Sequence, residues 1–119
     1  MTLRTLAAAA LAVGLASTVV LAHMKATKFE PAADATVTTT SRLQVWFTQA
    51  PDPKVSKIEL AGPNGAVKLG AVQVTAEKSI MAAVEGSLGN GRYTASWQAA
   101  GDDGHVQKGT YSFTVQNTR

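Results

Sequence analysis

Hydrophobic and polar residues alternate along this chain from about residue 26 to its end. Four segments show the period of two most clearly: 43–47, 72–75, 93–98 and 111–115. In the first of them, Leu43, Val45 and Phe47 alternate with Gln44 and Trp46. Because successive side chains of a β-strand point to opposite faces, each segment predicts a strand with one face on a hydrophobic core. Trp97 shares a face with Tyr93, which predicts core packing for this tryptophan.

Turn-forming residues separate the alternating segments. The run 31–35 follows a first apolar segment at 26–29, and Pro51-Asp52-Pro53 ends the strand at 43–47. Between the segments 58–60 and 67–69, the pair Asn64-Gly65 is expected to supply the positive φ angles of a tight hairpin. Segment 75–84 is ambiguous between helix and strand. About seven or eight short strands at such spacing predict a single all-β domain, an antiparallel sandwich or barrel.

The first 22 residues have a different pattern. Arg4 is followed by an uncharged stretch at 6–22, which is rich in Ala, Leu and Val and ends in Ala22. This is typical of a secretory signal peptide cut before His23. A membrane anchor is the alternative, but the stretch at 6–22 is shorter than the about 20 apolar residues that a spanning helix needs. We therefore expect a cleaved signal peptide at 1–22, a domain at 23–119 and no membrane insertion after cleavage.

Composition excludes several classes of site. The chain has no cysteine, so it has neither disulfides nor thiolate metal sites. It carries 11 Lys and Arg against 8 Asp and Glu, a net charge of +3 that falls to +2 without Arg4. These charges are scattered, and nothing resembles the basic face of a nucleic-acid binder. We expect a small exported domain that does not bind nucleic acid.

Only two histidines are present, and both suit a copper(II) site. After cleavage, His23 would offer its terminal amine and its Nδ1, which close a six-membered chelate ring with a metal. Asp103 and His105 lie two residues apart, so an extended chain would direct both to the same side, and Gly104 lets them turn toward one point. Nitrogen and oxygen donors in a tetragonal arrangement suit Cu(II), which also binds most tightly in the divalent series. The competing interpretation is an ordinary Asp-Gly turn with a solvated histidine.

The order of motifs resembles the CopC-type periplasmic copper-resistance proteins, over nearly the whole chain after residue 22. The early motifs are Ala22-His23, the Phe-Glu-Pro-Ala-Ala-Asp-Ala run at 29–35 and the strand ending at Phe47. The later and more specific ones are Gly-Arg-Tyr-Thr-Ala-Ser-Trp at 91–97 and Asp-Gly-His at 103–105, followed by Gly109 and the Tyr-Ser-Phe of 111–113.

This resemblance implies an immunoglobulin-like β-sandwich or barrel with a Cu(II) site made by His23, Asp103 and His105. Gln49 stands where some members have a glutamate near the copper, so whether Gln49 or Asp102 contributes stays open. Some members also hold Cu(I) in a methionine-rich loop. Here Met24 and Met81 are the methionines left after cleavage, and they lie far apart, so soft-metal binding is not expected.

The leading hypothesis is a periplasmic Cu(II)-binding protein, not an enzyme, that sequesters copper or passes it to a membrane partner. The resemblance implies an inner-membrane copper-transport protein as that partner, and we expect a monomer. Two alternatives remain. One is a metal-free β-sandwich interaction module. The other is a copper mono-oxygenase-like enzyme, although a carboxylate in the coordination plane would occupy the position that oxygen needs, and no flat aromatic substrate face is evident.

Overall fold

The computed structural model describes residues 23–117, and the expected signal peptide at 1–22 lies outside the described residues. Nine strands follow in chain order: β1 (Ala26–Glu30), β2 (Thr36–Val37), β3 (Arg42–Phe47), β4 (Lys57–Gly62), β5 (Gly65–Val67), β6 (Gln73–Thr75), β7 (Ser79–Ala83), β8 (Gly91–Ala100) and β9 (Val106–Val115).

The strands form two sheets packed face to face. One sheet has the order β1-β3-β7-β6 and the other β2-β9-β8-β4-β5. Every pairing is antiparallel except β2 with β9. The predicted all-β sandwich is confirmed, and residues 23–117 form nine strands rather than about seven or eight. The added strands are β2, which at two residues is too short to show a period, and β7, which lies in the ambiguous segment 75–84.

Alternation along the strands builds the core. Leu43 and Val45 of β3 are fully buried, as are Ile80 of β7 and Phe113 of β9. Burying one such side chain stabilises the fold by about 1.5–3 kcal/mol. Aromatic pairs extend the packing: Phe29 stacks on Tyr111 with ring centroids 4.5 Å apart, and Tyr93 stacks on Phe113 at 5.7 Å. The residues predicted to face inward therefore do so.

The two tryptophans lie in different environments. Trp97 packs against the core, edge-on to Phe47 with ring centroids 5.2 Å apart, as its position predicted. Trp46 lies on the opposite face of β3. There the Lys28 ammonium sits 4.5 Å from its ring centroid, and its indole N–H donates to Glu77 at 3.3 Å. Trp46 is thus half-buried, with a cation–π contact on its ring.

The β4–β5 hairpin corrects one expectation. Gly62 pairs with Gly65, so Pro63 and Asn64 are the two central residues of the turn. Proline fixes φ at about −65°, the value that the first central residue of a type I or type II turn requires. Pro63 takes that position here. Gly65 takes φ 102°, whereas Asn64 keeps a negative φ. The expectation of positive φ at Asn64 is therefore wrong.

Three segments meet at one end of the sandwich. The β8–β9 hairpin keeps its register to the pair Ala100 with Val106, which leaves the loop 101–105 at its tip. At the same end, Ala26 of β1 pairs with Phe47 at the close of β3. The Asp52 N–H donates to the carbonyl of Ala100 at 2.8 Å, which holds the β3–β4 connection against the hairpin. Within residues 23–117, no helix is long and apolar enough to span a bilayer.

Candidate metal centre

The fold brings the three predicted ligand residues together at this end. One ligand atom from each of His23, Asp103 and His105 lies within 4.8 Å of the others. The Nδ1 atom of His23 is 2.7 Å from Oδ2 of Asp103, although the two residues are 80 positions apart. The Nδ1 atom of His105 is 3.3 Å from the same oxygen. The structure thus juxtaposes the side chains, and their role as metal ligands remains a prediction.

The residues after His23 anchor it to the sandwich. Met24 is 2% exposed and belongs to the hydrophobic core. Lys25 bonds to Thr48 in both directions: its N–H donates to the threonine hydroxyl at 3.1 Å, and its carbonyl accepts from the Thr48 N–H at 2.9 Å. His23 therefore directly precedes Met24, a residue whose position the core fixes. Its Nδ1, the nitrogen that could chelate together with a free amine, faces Asp103.

The loop 101–105 presents the other two residues. A turn closes where the Gly104 N–H donates to the Gly101 carbonyl at 3.1 Å, and Gly104 takes φ 75°, a conformation that favours glycine. The His105 N–H then donates to Oδ1 of Asp103 at 3.0 Å, as in an Asx-turn. Asp103 and His105 therefore converge through a turn rather than along an extended chain. Since Oδ1 accepts this bond, Oδ2 is the oxygen that faces both imidazoles.

The electrostatics favour an anion at the base of the cluster. The hydrogen bond from the His105 N–H, followed by the hydrogen bond with His23, lowers the pKa of Asp103 below its ordinary value of 3.8. Asp103 is therefore a carboxylate at neutral pH. Its side chain is 22% exposed, against 50% for His23 and 67% for His105. All three residues are exposed, and the carboxylate is the least exposed of the three side chains, so solvent ions reach the cluster directly.

The donor set fits a borderline divalent cation. It comprises two imidazoles and one carboxylate, and a free His23 amine would add a third nitrogen. Three nitrogens and one oxygen suit Cu(II) in a tetragonal arrangement, whereas soft Cu(I) prefers sulfur. Met24 offers no accessible thioether because it is buried, and Met81 lies on β7, which makes no pairing with the loop 101–105. The donor types are therefore compatible with Cu(II), and the identity of the metal remains a prediction.

Gln49 and Asp102 occupy the margin of the cluster. The backbone N–H of Asp102 donates to Oε1 of Gln49 at 3.2 Å, and the Asp102 side chain is exposed. The sequence left open whether either residue contributes to the site. The structure connects Gln49 to the loop backbone, a contact that no local pattern in the sequence indicates.

A shallow depression elsewhere on the molecule has a different character. It measures about 480 Å³ on the five-stranded sheet and is lined by residues of β4, β8 and β9, including Lys57, Trp97 and Lys108. None of the three candidate ligands borders it. The convergence of histidine and carboxylate donors lies instead on the exposed end of the sandwich.

Comparisons with known proteins support the fold. The family model for the CopC domain matches residues 26–116. The crystal structure of PcoC, a methionine-rich copper resistance protein from Escherichia coli, is 28% identical with a TM-score of 0.73, over 80% of this chain and all of that one. CopC from Methylosinus trichosporium OB3b, at 22% identity, has a TM-score of 0.72 over 82% of this chain and 97% of its own, a likeness of fold. No curated protein matches the chain.

Proposed function

The chain belongs to the CopC family, and from this premise we propose that it is a periplasmic Cu(II)-binding protein. The family and the copper-resistance neighbour place its function in copper handling. The proposal adds the oxidation state, the compartment and the ligands His23, Asp103 and His105. The protein would sequester Cu(II) or hand it to an inner-membrane transport protein, and it would act as a monomer and not as an enzyme.

One observation carries the proposal. The two histidines of the chain, at positions 23 and 105, both direct Nδ1 at the same oxygen of Asp103, at 2.7 and 3.3 Å. An adventitious surface histidine has no reason to face the only other histidine across 82 residues of sequence. Their ring centroids are 5.2 Å apart. Such convergence supports a shared cation between the imidazoles and the carboxylate.

The chemistry of binding follows from the four donor groups. Asp103 would supply negative charge, the imidazoles two nitrogens, and the His23 amine a third nitrogen in a chelate ring. An α-amine has an ordinary pKa of about 7.7–8, so Cu(II) binding near neutral pH would displace its proton. Because the copper is cargo, the exposure of both histidines would allow its exchange with a partner.

Cleavage before His23 is part of the proposal. In the intact chain the His23 nitrogen belongs to a peptide bond and cannot act as an amine ligand. Removal of 1–22 as a signal peptide would create the amine and export the domain 23–119 in one step. The copper site would therefore be complete only in the exported protein.

The experiment compares two versions of the protein that both begin at His23: one with a free terminal amine and one in which that amine is acetylated, so that it can no longer bind a metal. Cu(II) is titrated into each, followed by tryptophan fluorescence and the copper spin spectrum. A second donor on one residue raises binding by about 10²–10⁴-fold through effective concentration, so we expect the acetylated version to bind at least about 100-fold more weakly. Equal binding by both would refute the chelate.

The same titration distinguishes the alternatives. Negligible binding by either version would favour a metal-free interaction module. Oxidation of an added polysaccharide, in the presence of a reductant and oxygen, would favour a mono-oxygenase. A carboxylate facing both imidazoles opposes that enzyme, because Asp103 would take a coordination position that oxygen needs.

A further inference from the structure

Gly101 marks a point of unusually close packing beside the cluster. A Cβ atom placed on this glycine would lie 2.4 Å from Oε1 of Gln49 and 3.2 Å from Cβ of Met24. Real Cβ atoms do not approach other atoms to 2.4 Å, so the position accepts only glycine unless the Gln49 side chain moves. The absence of a side chain at Gly101 is thus what lets Gln49 reach the loop.

Gln49 uses this access to hold the loop backbone. Its Oε1 accepts a hydrogen bond from the Asp102 N–H at 3.2 Å, one residue before Asp103. Gln49 itself lies two residues after Phe47, where β3 ends on a buried aromatic ring. A contact that begins two residues after a packed strand therefore ends next to a candidate ligand.

The N-terminal segment also meets Gly101, through Met24, the residue that follows the candidate ligand His23. Met24 is 2% exposed and directly follows His23, and its Cβ would lie 3.2 Å from a Cβ placed on Gly101. Three segments thus meet at Gly101: the N-terminal segment, the end of β3 and the β8–β9 loop. His23 directly precedes Met24, and Asp103 lies two residues after Gly101, so both parts of the cluster lie close to this junction.

We infer that Gln49 is a positioning residue of the copper site, which holds the 101–105 loop against Met24 so that Asp103 and His105 face His23. This inference rests on the proposed function. Gln49 acts through its side-chain carbonyl on the Asp102 N–H and contributes no ligand atom. Groups that orient ligands commonly change metal affinity by about 10–100-fold when they are removed.

The amide also differs from a carboxylate at this position. Both groups place an acceptor oxygen at the end of the same carbon chain, but only a carboxylate adds negative charge beside Asp103. A Gln49→Glu variant should therefore keep the loop in place and attract a cation more strongly. A Gln49→Leu variant has similar bulk and no acceptor. Comparison of the two variants therefore separates the effect of the hydrogen bond from the effect of the charge.

The test measures Cu(II) affinity and spin spectrum in variants that all begin at His23. We expect Gln49→Leu to bind Cu(II) about tenfold more weakly, with an altered spectrum, and Gln49→Glu to bind at least as tightly as the wild type. Gln44→Leu is the matched control, because Gln44 lies on β3 and its side-chain amide donates to Ser79 of β7 rather than contacting the 101–105 loop. Its copper affinity should stay within about twofold of the wild type, since Gln44 is distant from the ligands.

A double-mutant cycle tests the contact with Gly101. Gly101→Ala should weaken binding about tenfold in the wild type, and less than about threefold when Gln49 is already alanine, because the clash with Oε1 of Gln49 is then absent and only the 3.2 Å approach to Cβ of Met24 remains. In the copper-free protein, the Asp102 amide proton resonance should shift in Gln49→Leu and stay near its wild-type position in Gln49→Glu. This readout needs no copper and follows the hydrogen bond itself.

The outcomes separate the two hypotheses. If the wild type fails to bind Cu(II), the proposed function is wrong, while the amide resonance still reports whether Gln49 holds the loop. If the wild type binds and Gln49→Leu binds equally with the same spectrum, the positioning role is overturned and the copper site stands. Binding by Gln49→Glu as weak as that by Gln49→Leu would also overturn it.

Discussion

The hydrophobic core and the ligand cluster differ in how they meet solvent. Phe113 and Leu43 in the core are 0% exposed, whereas the side chains of His23 and His105 are 50% and 67% exposed. Core residues stabilise the fold by leaving water, but the cluster gathers polar groups that remain in contact with it. This contrast teaches that stability and copper binding should be separable by substitution.

A core substitution should have the largest effect on stability. Phe113→Ala removes a fully buried ring that stacks on Tyr93, and we expect the free energy of unfolding to fall by about 3–5 kcal/mol. Phe113→Leu keeps part of the apolar volume and should cost less than Phe113→Ala. Denaturant unfolding measures both. A loss below about 1 kcal/mol for Phe113→Ala would show that this ring is not central to the core.

A substitution at a candidate ligand should weaken Cu(II) binding and leave the free energy of unfolding almost unchanged. Asp103→Asn keeps an oxygen for the His105 N–H but removes the charge, so we expect Cu(II) binding about 100-fold weaker, or about 2.7 kcal/mol. Unfolding should change by less than about 0.5 kcal/mol, as is usual at exposed sites. Asp102→Asn is the matched control. It removes the same charge one residue away, where solvent screens it, and should change affinity by less than about threefold.

Packing of Trp97 should give an intermediate effect. A Cβ on Gly109 would lie 2.6 Å from the Trp97 ring, so Gly109→Ala should shift the indole and destabilise the protein by about 1–3 kcal/mol. Trp fluorescence and denaturant unfolding measure the change. At Gly89, no atom of the described residues lies within 4 Å of a built Cβ, and Gly89→Ala should not destabilise. Equal losses at both glycines would contradict the packing explanation.

The smallest effect should come from a single hydrogen bond. The Tyr111 hydroxyl donates to the Glu30 carbonyl at 3.1 Å, so Tyr111→Phe should cost about 1 kcal/mol near neutral pH. Burial, and then the charge of Glu30, raises the pKa of Tyr111 above its ordinary value of 10.0. A raised folded-state pKa means that this stability is present below pH 10 and lost as the pH rises further.

The wild type and the Tyr111→Phe variant should therefore converge in stability above pH 10. Thermal unfolding of both proteins at neutral pH and at about pH 11 measures the difference, and Tyr93 is common to both. A difference that stays constant or widens above pH 10 would contradict the assigned environment of Tyr111.

Local patterns predicted the fold because the core residues alternate with polar residues along each strand. Leu43, Val45 and Phe47 needed no distant partner to be read as one face of a strand. The pattern could not reveal β2, whose two residues pair in parallel with β9, or the negative φ of Asn64, which depends on Pro63 leading the turn.

The candidate site was predictable in part. Asp103 and His105 lie in one short loop, so their spacing indicated a shared point. The approach of His23 came from chelate chemistry and from the family resemblance, and the structure adds the 2.7 Å contact with Asp103. The junction of Gln49 with Gly101 was not predictable, because it depends on close packing between residues 52 positions apart. The ligand roles themselves remain predictions.

Diffraction from crystals of the copper complex tests the central claim most directly. The protein should begin at His23, and anomalous differences should be collected on both sides of the copper absorption edge. We predict one strong copper peak within bonding distance of the His23 amine and Nδ1, Oδ2 of Asp103 and the His105 imidazole. A copper peak at Met81 or elsewhere, with none between the two histidines, would contradict the account.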